Sequence, residues 1–286
     1  MKSSDVRVPK IEMDDIETVN DNSFTEENCA IVTGAASGIG RATAIALAAN
    51  GLTVVGTDVD TNGLREMKQK ATELDLDGSV ETVQADLTVD DELREIVKTA
   101  NSSGQIKYLA NIAGLQHIDP IDEFPPEKFD LMYQVMVRAP FYLSQLVIPH
   151  IAESDTGKGC IGNMSSVHGH YVTSDKVGYN TSKFAIRGLT QSIAAEGNGD
   201  IRSFSISTGY VSTPLVVDQI PDTAKSRDIT EQEVVEDVML GQSRNTDMMD
   251  PIDIGNLFVI GFSDLASHLN GGDLLFDGGM TSTYQL

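Results

Sequence analysis

Residues 33–51, TGAASGIGRATAIALAANG, decide the fold of this 286-residue chain. A short β-branched run, CAIVT (29–33), leads into the stretch, and an alanine-rich helical pattern ends it. The glycines let the backbone turn sharply and approach a bound group, while the helix start offers free N–H groups and a positive dipole end. We therefore predict a strand–turn–helix unit that binds a pyrophosphate. The residues expected there are Thr33, Gly34, Ser37, Gly38, Ile39 and Gly40.

The glycine spacing alone is a moderately specific signal. It is G-x-x-x-G-x-G rather than the usual G-x-G-x-x-G, and a tight turn without a ligand is the alternative interpretation. Asp58 strengthens the first interpretation, because it follows the next apolar run, LTVVGT (52–57). A carboxylate at that point can accept hydrogen bonds from a ribose diol and would repel a 2′-phosphate. The combination predicts a dinucleotide site that prefers NAD to NADP.

The rest of the chain continues the alternation of strands and helices. Further strand-like runs are SVETVQA (79–85), KYLANI (107–112), GCIGNMS (159–165), IRSFSIS (201–207) and GGDLLF (271–276). Helical patterns cover 41–50, 61–74, 89–100, 126–153 and 182–197. This order predicts an α/β fold, a Rossmann-type doubly wound parallel sheet of about seven strands with helices on both faces. We expect one such domain over 26–286.

Two segments depart from this rhythm. Residues 1–25 are polar and acidic without a clear period, so we expect a loosely held, flexible extension. Residues 214–250 are acidic and contain several methionines, and they follow a Thr-Pro step. We expect them to form a small helical lid over a site.

The charge balance limits the partners. Twenty Lys+Arg against 43 Asp+Glu give a net charge of −23, so nucleic acid and anionic membrane surfaces would be repelled. The acidity fits either a high-salt cytoplasm or an ordinary acidic protein. No apolar run is long enough to span a membrane, and the first residues resemble neither a signal nor a transit peptide. Cys29 and Cys160 are expected to be reduced core residues, which fits a cytoplasmic protein.

The stretch YNTSK (179–183) sets Tyr179 and Lys183 one helical turn apart. They could be neighbours on an ordinary surface helix. The functional interpretation is that the lysine cation favours the phenolate and lowers the pKa of Tyr179, making it a base for a hydroxyl proton. Ser166, which precedes them in NMSSVHG, could then hydrogen-bond the oxygen of the same substrate. Such chemistry requires no metal.

Several ordered motifs resemble those of the short-chain dehydrogenase/reductase family. They are the glycine turn, Asp86-Leu87, ANIAG (110–114), the Ser166, Tyr179 and Lys183 set, and STGYVSTPL (207–215). The resemblance runs from about residue 28 to the C-terminus. It implies NAD as cofactor, Ser166, Tyr179 and Lys183 as catalytic residues, and often a homotetramer, with 126–153 and the Tyr179 helix at its interface. It adds to the cofactor site Asp86, Leu87, Asn111, Ala113, Gly114, Tyr179, Lys183, Val211 and Thr213.

Within this family the chain is most similar to bacterial D-3-hydroxybutyrate dehydrogenases. The similarity lies in AGLQHIDPIDEFPPEKFD, SSVHGHYVTSDKVGY and YVSTPLVVDQI. It implies that Gln116, His168, Lys176 and Gln219 bind the carboxylate of a small hydroxy acid. Taken singly, each would more often be a loop or surface residue, but their joint occurrence in matching contexts favours the binding role.

Four positions depart from the family pattern. Ile112 replaces the second Asn of the NNAG segment, and Thr208 stands where proline is usual. Met136 stands where the family has a helix-borne Asn that helps to hold a water beside the lysine, and a thioether cannot donate that hydrogen bond. The proton relay must then be rerouted, slowed or absent. Met280 stands where the hydroxybutyrate enzymes tend to carry a tryptophan near the substrate, which predicts a softer pocket wall.

Three functions remain open at this point. The first is an NAD-dependent enzyme that interconverts D-3-hydroxybutyrate and acetoacetate. The second is a related dehydrogenase for another small hydroxy acid, a polyol or a sugar. The third is an NAD-binding regulatory protein with weakened catalysis, which Met136 motivates and the intact Ser166, Tyr179 and Lys183 oppose.

Overall fold

A seven-stranded parallel β-sheet forms the centre of the protein, in a computed structural model that describes residues 7–282. The strands lie in the order β3-β2-β1-β4-β5-β6-β7. Their bounds are β1 Asn28–Thr33, β2 Thr53–Asp58, β3 Ser79–Gln84, β4 Gln105–Asn111, β5 Gly159–Met164, β6 Ile201–Thr208 and β7 Asp273–Phe276. Each coincides within two residues with a predicted run, so the predicted doubly wound fold is confirmed.

Helices cover both faces of this sheet. They are α1 Gly38–Ala49, α2 Thr61–Glu73, α3 Asp90–Ser103, α4 Pro126–Tyr133, α5 Ala139–Glu153, α6 Val177–Glu196, α7 Pro214–Val217, α8 Ile220–Arg227, α9 Glu231–Glu233 and α10 Pro251–Phe262. One apolar core joins the sheet to α1, α2 and α10, and a second joins the opposite face to α3, α5 and α6. The predicted helix over 126–153 exists as α4 and α5, joined by a π-helical turn at Gln134–Arg138.

Helix α10 is absent from the sequence-based prediction. Its sequence, PIDIGNLFVIGF, is apolar on nearly all sides, and nine of its residues are buried because the helix packs against both α1 and the sheet. A helix buried all round lacks the polar stripe that marks an amphipathic helix. Asp250 caps its start in a reciprocal capping box with Asp253.

The segment before β1 packs against the domain. Ile16 and Phe24 are buried in the core that contains α1 and α10. The Asn50 side chain accepts a hydrogen bond from the Val19 N–H at 2.8 Å, and the Asn256 side chain accepts one from the Glu17 N–H at 3.0 Å. The expectation of a loosely held extension therefore does not hold for residues 11–24. Two buried apolar side chains and two hydrogen bonds to asparagine side chains attach this segment to the domain. Residues 1–6 lie outside the described residues.

The sheet order also fixes where a site can form. The chain runs outward from β1 in one direction to β2 and β3, and then returns to start β4 on the other side of β1. At such a switch point the loops after β1 and β4 separate, which opens a crevice at the carboxyl ends of the strands. The predicted lid consists of α7, α8, α9 and a π-helical turn at Val234–Met239, with a small apolar core of its own. Within residues 7–282, no helix has both the length and the apolarity to cross a membrane.

Candidate active site

A cleft of about 470 Å³ lies at this switch point. It extends from Asp58, the last residue of β2, to Tyr179 and Lys183 on α6. Most predicted cofactor residues line it, namely Gly34, Ser37, Gly38, Ile39, Gly40, Asp58, Asp86, Leu87, Ala113, Gly114, Tyr179, Lys183, Val211 and Thr213. Ser166 lines the same cleft, so one cavity joins the predicted cofactor site to the predicted catalytic residues.

The glycine turn is built for close backbone approach. A Cβ on Gly40 would lie 2.1 Å from the carbonyl oxygen of Gly34, and one on Gly34 would lie 2.9 Å from the Cα of Ala113. Gly38 has a φ of +51°, in the left-handed region that favours glycine. Ser37 caps α1 without a side-chain hydrogen bond, so its hydroxyl does not occupy the first N–H groups of the helix. These groups are free to bind an anion in the cleft.

Two predicted cofactor residues support the cleft from behind. Thr33 and Asn111 are buried and are not among its lining residues. The Thr33 hydroxyl accepts hydrogen bonds from the N–H groups of Ile112 at 2.9 Å and Ala113 at 3.1 Å. The Asn111 amide donates to the Asn163 side chain at 2.9 Å. Thr33 therefore holds the loop after β4 in place, and Asn111 ties the end of β4 to β5.

Asp58 stands at the far end of the cleft. One carboxylate oxygen accepts a hydrogen bond from the Ala36 N–H at 3.1 Å, and the other accepts one from the Asp60 N–H at 3.0 Å. Each oxygen has a second lone pair for another donor. The carboxylate is thus held still and can accept hydrogen bonds from a diol.

Ser166, Tyr179 and Lys183 come together at the opposite end. Ser166 follows β5, whereas Tyr179 and Lys183 share one face of α6. The Lys183 Nζ lies 5.3 Å from the centre of the Tyr179 ring and donates a hydrogen bond to the Met164 carbonyl at 2.9 Å. Ser166 forms a hydrogen bond with the Tyr179 phenol. A substrate oxygen beside the phenol would therefore also meet the serine hydroxyl.

Burial shifts the pKa of both α6 residues away from charge. It raises the pKa of Tyr179 to about 12, although the hydrogen bond with Ser166 partly opposes this rise. Burial also lowers the pKa of Lys183 to about 8. The direction is opposite to the lowering expected for Tyr179, because desolvation is the largest cause acting on the phenol and raises its pKa. At neutral pH the phenol is protonated, and the lysine is largely charged.

Met136 lies in the π-helical turn and is buried beside Lys183. A Cβ built on Gly114 would lie 3.6 Å from the Met136 sulfur and 4.0 Å from the Lys183 Nζ, so both groups face the same glycine. Met136 packs with Phe124 and Met132 in an apolar cluster that also contacts Tyr179. The position where the family carries an amide is therefore apolar here. π-Helical turns are frequent at functional sites.

Of the four predicted substrate residues, His168 lies directly beside Ser166 and Tyr179. Within the described chain, the cleft lining includes none of them. The Gln116 amide donates to the Gln219 side chain at 3.2 Å, which joins the loop after β4 to the lid. The His168 ring lies 3.4 Å from the Ser166 hydroxyl and 3.0 Å from Thr173, and burial lowers its pKa to about 4. Lys176 is half-buried at the start of α6, and burial lowers its pKa.

Met280 does not line this cleft. It borders a separate cavity of about 110 Å³, together with Tyr210 and Phe276, and its sulfur accepts a hydrogen bond from the Tyr171 hydroxyl at 3.3 Å. The predicted pocket wall at Met280 is therefore corrected: this side chain supports Tyr171 behind His168. The prediction also missed the apolar wall of Leu115, Leu131 and Val135, because only the folded chain brings these residues together.

The sequence profile described as short chain dehydrogenase matches residues 28–224. The chain belongs to the short-chain dehydrogenase family. It is 32% identical over 256 residues to a D-beta-hydroxybutyrate dehydrogenase of Rhizobium meliloti, covering 88% of this chain and 98% of the relative. The family assignment makes the protein an oxidoreductase acting on CH–OH donors.

Solved structures of the family share the fold over nearly their whole length. Levodione reductase superposes with a TM-score of 0.83 at 28% identity, covering 91% of this chain and all of that one. A protein assigned as an NAD(P)-dependent gluconate 5-dehydrogenase of Beutenbergia cavernae, with NADP bound at low occupancy, gives a TM-score of 0.79 at 26% identity. It covers 92% of this chain and 100% of its own. A nicotinamide dinucleotide also suits this cleft, which has an anion-binding turn midway and hydroxyl groups at the catalytic end.

Proposed function

We propose that the protein is an NAD-dependent dehydrogenase that interconverts D-3-hydroxybutyrate and acetoacetate. The observation that carries the proposal is the single cleft joining Asp58 and the glycine turn to Ser166, Tyr179 and Lys183. The similarity to a D-beta-hydroxybutyrate dehydrogenase over nearly its whole length supports the substrate.

The catalytic residues divide the work of proton transfer and charge stabilisation. When bound, NAD supplies the carbon that accepts the hydride. Tyr179 exchanges the proton of the substrate hydroxyl, and Ser166 hydrogen-bonds the same oxygen as charge develops on it. Because the pKa of Tyr179 is about 12, the phenol carries its proton at neutral pH and can give it to the substrate oxygen as a ketone is reduced to the more basic alkoxide. In oxidation, Tyr179 needs nearby positive charge to favour the phenolate, and Lys183 is the cation held beside it.

The substrate carboxylate is assigned to the four polar residues around Ser166 and Tyr179. Gln116 and Gln219 offer amide donors on the lid side, and Lys176 offers a cation. His168 stays neutral at physiological pH, so its ring can only hydrogen-bond. Charge-assisted hydrogen bonds of this kind suit a small carboxylate.

Asp58 supports a preference for NAD over NADP. Its carboxylate is fixed by two backbone N–H groups and faces the cleft, where it would repel a 2′-phosphate. Replacing Asp58 with Ala should lower the ratio of kcat/KM for NAD to kcat/KM for NADP by about tenfold or more. Steady-state kinetics with both cofactors measure this ratio, and an unaltered ratio would rule out the role of Asp58.

A second candidate is a dehydrogenase for another small hydroxy acid, a polyol or a sugar. It is favoured by the position of Met280, which lies outside the cleft and leaves the substrate end without the aromatic wall expected near hydroxybutyrate. A catalytically weakened, NAD-binding regulatory protein remains the alternative from another class, because Met136 puts an apolar side chain beside Lys183. We also propose a cytoplasmic homotetramer.

A substrate panel tests these proposals. Absorbance of reduced nicotinamide should rise with NAD and D-3-hydroxybutyrate, and it should fall with the reduced cofactor and acetoacetate. Tyr179→Phe, which removes only the phenol oxygen, should abolish both signals while the protein still binds NAD. Turnover of polyols or sugars but not of hydroxybutyrate would favour the second candidate. Cofactor binding without turnover of any alcohol would favour the regulatory protein.

A further inference from the structure

A polar cluster lies behind the catalytic residues, at the start of β7. The carboxylate of Asp273 is only 13% exposed, so it needs hydrogen-bond donors to offset its lost hydration. Two donors come from the neighbouring strand β6, where the hydroxyl groups of Ser207, at 2.9 Å, and of Ser205 bind the same carboxylate oxygen. The other oxygen lies 2.8 Å from Nε2 of His170. Because a carboxylate can only accept hydrogen bonds, this Nε2 carries a proton.

Arg187 on α6 belongs to the same cluster. Its Nε lies 4.0 Å from the Asp273 carboxylate, and one of its terminal N–H groups donates a hydrogen bond to the carbonyl of Gly169. Gly169 lies in the turn that follows β5, directly before His170. The guanidinium group therefore links β7 to this turn from the helix side.

The turn after β5 carries Ser166 and packs directly on α6. A Cβ on Gly169 would lie 2.7 Å from the carbonyl oxygen of Lys183, and the Ser165 hydroxyl donates to that carbonyl at 3.1 Å. The turn and the catalytic helix are thus in contact through their backbones. A displacement of the turn along the helix would move Ser166 relative to Tyr179.

Asp273 holds both sides of this contact from the sheet. His170 belongs to the turn, and its N–H donates to the carbonyl of Val167 at 2.9 Å. Arg187 lies one helical turn after Lys183, on the same face of α6. Hydrogen bonds to an ionised acceptor are among the stronger ones in proteins. One carboxylate can therefore keep the turn and the helix in a single arrangement.

We propose that Asp273 is a positioning residue that, through His170 and Arg187, holds the Ser166 hydroxyl at the phenol of Tyr179. The inference rests on the proposed dehydrogenase function, in which Ser166 and Tyr179 act on one substrate oxygen. Asp273 is not among the described residues that line the cleft. It acts on the rate through the placement of the two catalytic hydroxyl groups.

Paired substitutions at His170 test this role. His170→Leu removes the donor to Asp273, whereas His170→Gln keeps an N–H donor. We expect His170→Leu to lower kcat for alcohol oxidation about tenfold and to leave the Kd for NAD unchanged, because the glycine turn keeps its place. His170→Gln should recover most of the lost rate. Equal kcat values in all three proteins, or equal losses in the two variants, would overturn the proposal.

The pH profile provides a readout that a purely structural role would not move. The hydrogen bond with Ser166 lowers the pKa of Tyr179 against the effect of burial, so its loss should raise that pKa. The increase of kcat with pH should therefore shift to higher pH in His170→Leu and return in His170→Gln. Both variants keep the other ionisable groups that act on the phenol or lie against its ring, namely Lys183, His168 and Tyr210. A profile of His170→Leu that coincides with that of the unaltered protein would contradict the placement of Ser166 by this cluster.

Asp155 offers a matched control for a loss of stability. Its carboxylate accepts a hydrogen bond from the buried Lys107 near the start of β4, at the opposite end of the sheet from the cleft. Asp273→Asn and Asp155→Asn should both lower the midpoint of urea denaturation, but only Asp273→Asn should lower kcat. Similar kcat values for these two variants would show that Asp273 serves stability alone.

The choice of substrate separates this inference from the proposed function. If His170→Leu oxidises D-3-hydroxybutyrate as fast as the unaltered protein does, the positioning role is wrong and the proposed function stands. If the unaltered protein oxidises only another alcohol, the proposed substrate is wrong, and the same variants test Asp273 with that alcohol. If it oxidises no alcohol, both proposals are wrong.

Discussion

Tyr179 and Lys183 show at the scale of single residues why the site needs its ligands. Burial raises the pKa of the phenol to about 12 and lowers that of the ammonium to about 8, so burial disfavours the charged form of each group, although the lysine stays largely charged at neutral pH. The i, i+4 spacing correctly predicted that they share a helix face, but it could not reveal how deeply the fold buries them. A buried site of this kind gains its charges when oppositely charged or hydrogen-bonding groups enter it.

His168 should make the stability of the protein fall in acid. Burial lowers its pKa from 6.5 to about 4, so between these values the unfolded chain binds more protons than the folded one. The stabilising contribution of the neutral ring is thus complete above pH ~6.5 and is lost as the pH falls through ~4, amounting to about 3 kcal/mol. Urea denaturation at pH 7 and pH 4 should show a smaller loss for His168→Gln than for the unaltered protein. The exposed His268→Gln is the control, and an identical loss in all three proteins would contradict this assignment.

Met136 should limit the rate of proton exchange at Lys183. Its sulfur faces Gly114 beside the ammonium and can offer only a weak acceptor. Met136→Asn would add an amide that can hold a water there, and we expect kcat to rise by up to about tenfold. The smaller side chain should also cost about 1–3 kcal/mol of stability, because it leaves a cavity in the apolar cluster. Rate profiles against pH measure the first effect and thermal denaturation the second. Met132→Leu, in the same cluster, should leave kcat unchanged, and a kcat for Met136→Asn at or below that of the unaltered protein would refute the idea.

At the scale of elements, the turn between β1 and α1 depends on Gly40. A Cβ at this position would lie 2.1 Å from the carbonyl oxygen of Gly34. The other nearest atoms also belong to the backbone, so no flexible side chain could move aside. We expect Gly40→Ala to destabilise the protein by at least about 3 kcal/mol and to weaken NAD binding.

Gly188 is the control, because it is exposed within α6 and an alanine methyl group there would meet no packed neighbour within 4 Å. Gly188→Ala should stabilise the protein by about 0.5–1 kcal/mol. Chemical denaturation of both variants tests the contrast, which fails if the two substitutions have similar effects.

The elements that the sequence predicted are those with a simple local pattern. All seven strands follow from short β-branched runs, and α2 and α3 follow from clear apolar stripes. Helix α10 escaped prediction because burial on all sides removes the stripe. The segment before β1 escaped it for another reason. Its attachment depends on hydrogen bonds to the side chains of Asn50 and Asn256. Both residues are far away in sequence, so no local sequence pattern predicts the attachment.

The same distinction applies to the site. Sequence motifs predicted the parts of the cleft lining that the glycine turn and the α6 residues form, because these residues carry their function in local spacing. The supporting roles of Thr33, Asn111 and Met280 depend instead on contacts between distant segments.

For the whole molecule, the proposed homotetramer should depend on aromatic side chains outside the core. Phe141 on α5 is 50% exposed and Phe184 on α6 is 45% exposed, on the two helices expected at the interface. Large apolar side chains at the centre of an interface contribute much of the binding energy, and a charge there is strongly unfavourable.

Sedimentation should give the unaltered protein about four times the mass of the 30.8 kDa chain. Phe141→Asp with Phe184→Asp should shift it to dimers or monomers, more so at low protein concentration. Leu265→Asp, at a side chain 76% exposed outside these helices, should leave the mass unchanged. A double variant that still sediments with the unaltered protein would exclude this interface, because two buried carboxylates on each chain could not be accommodated there.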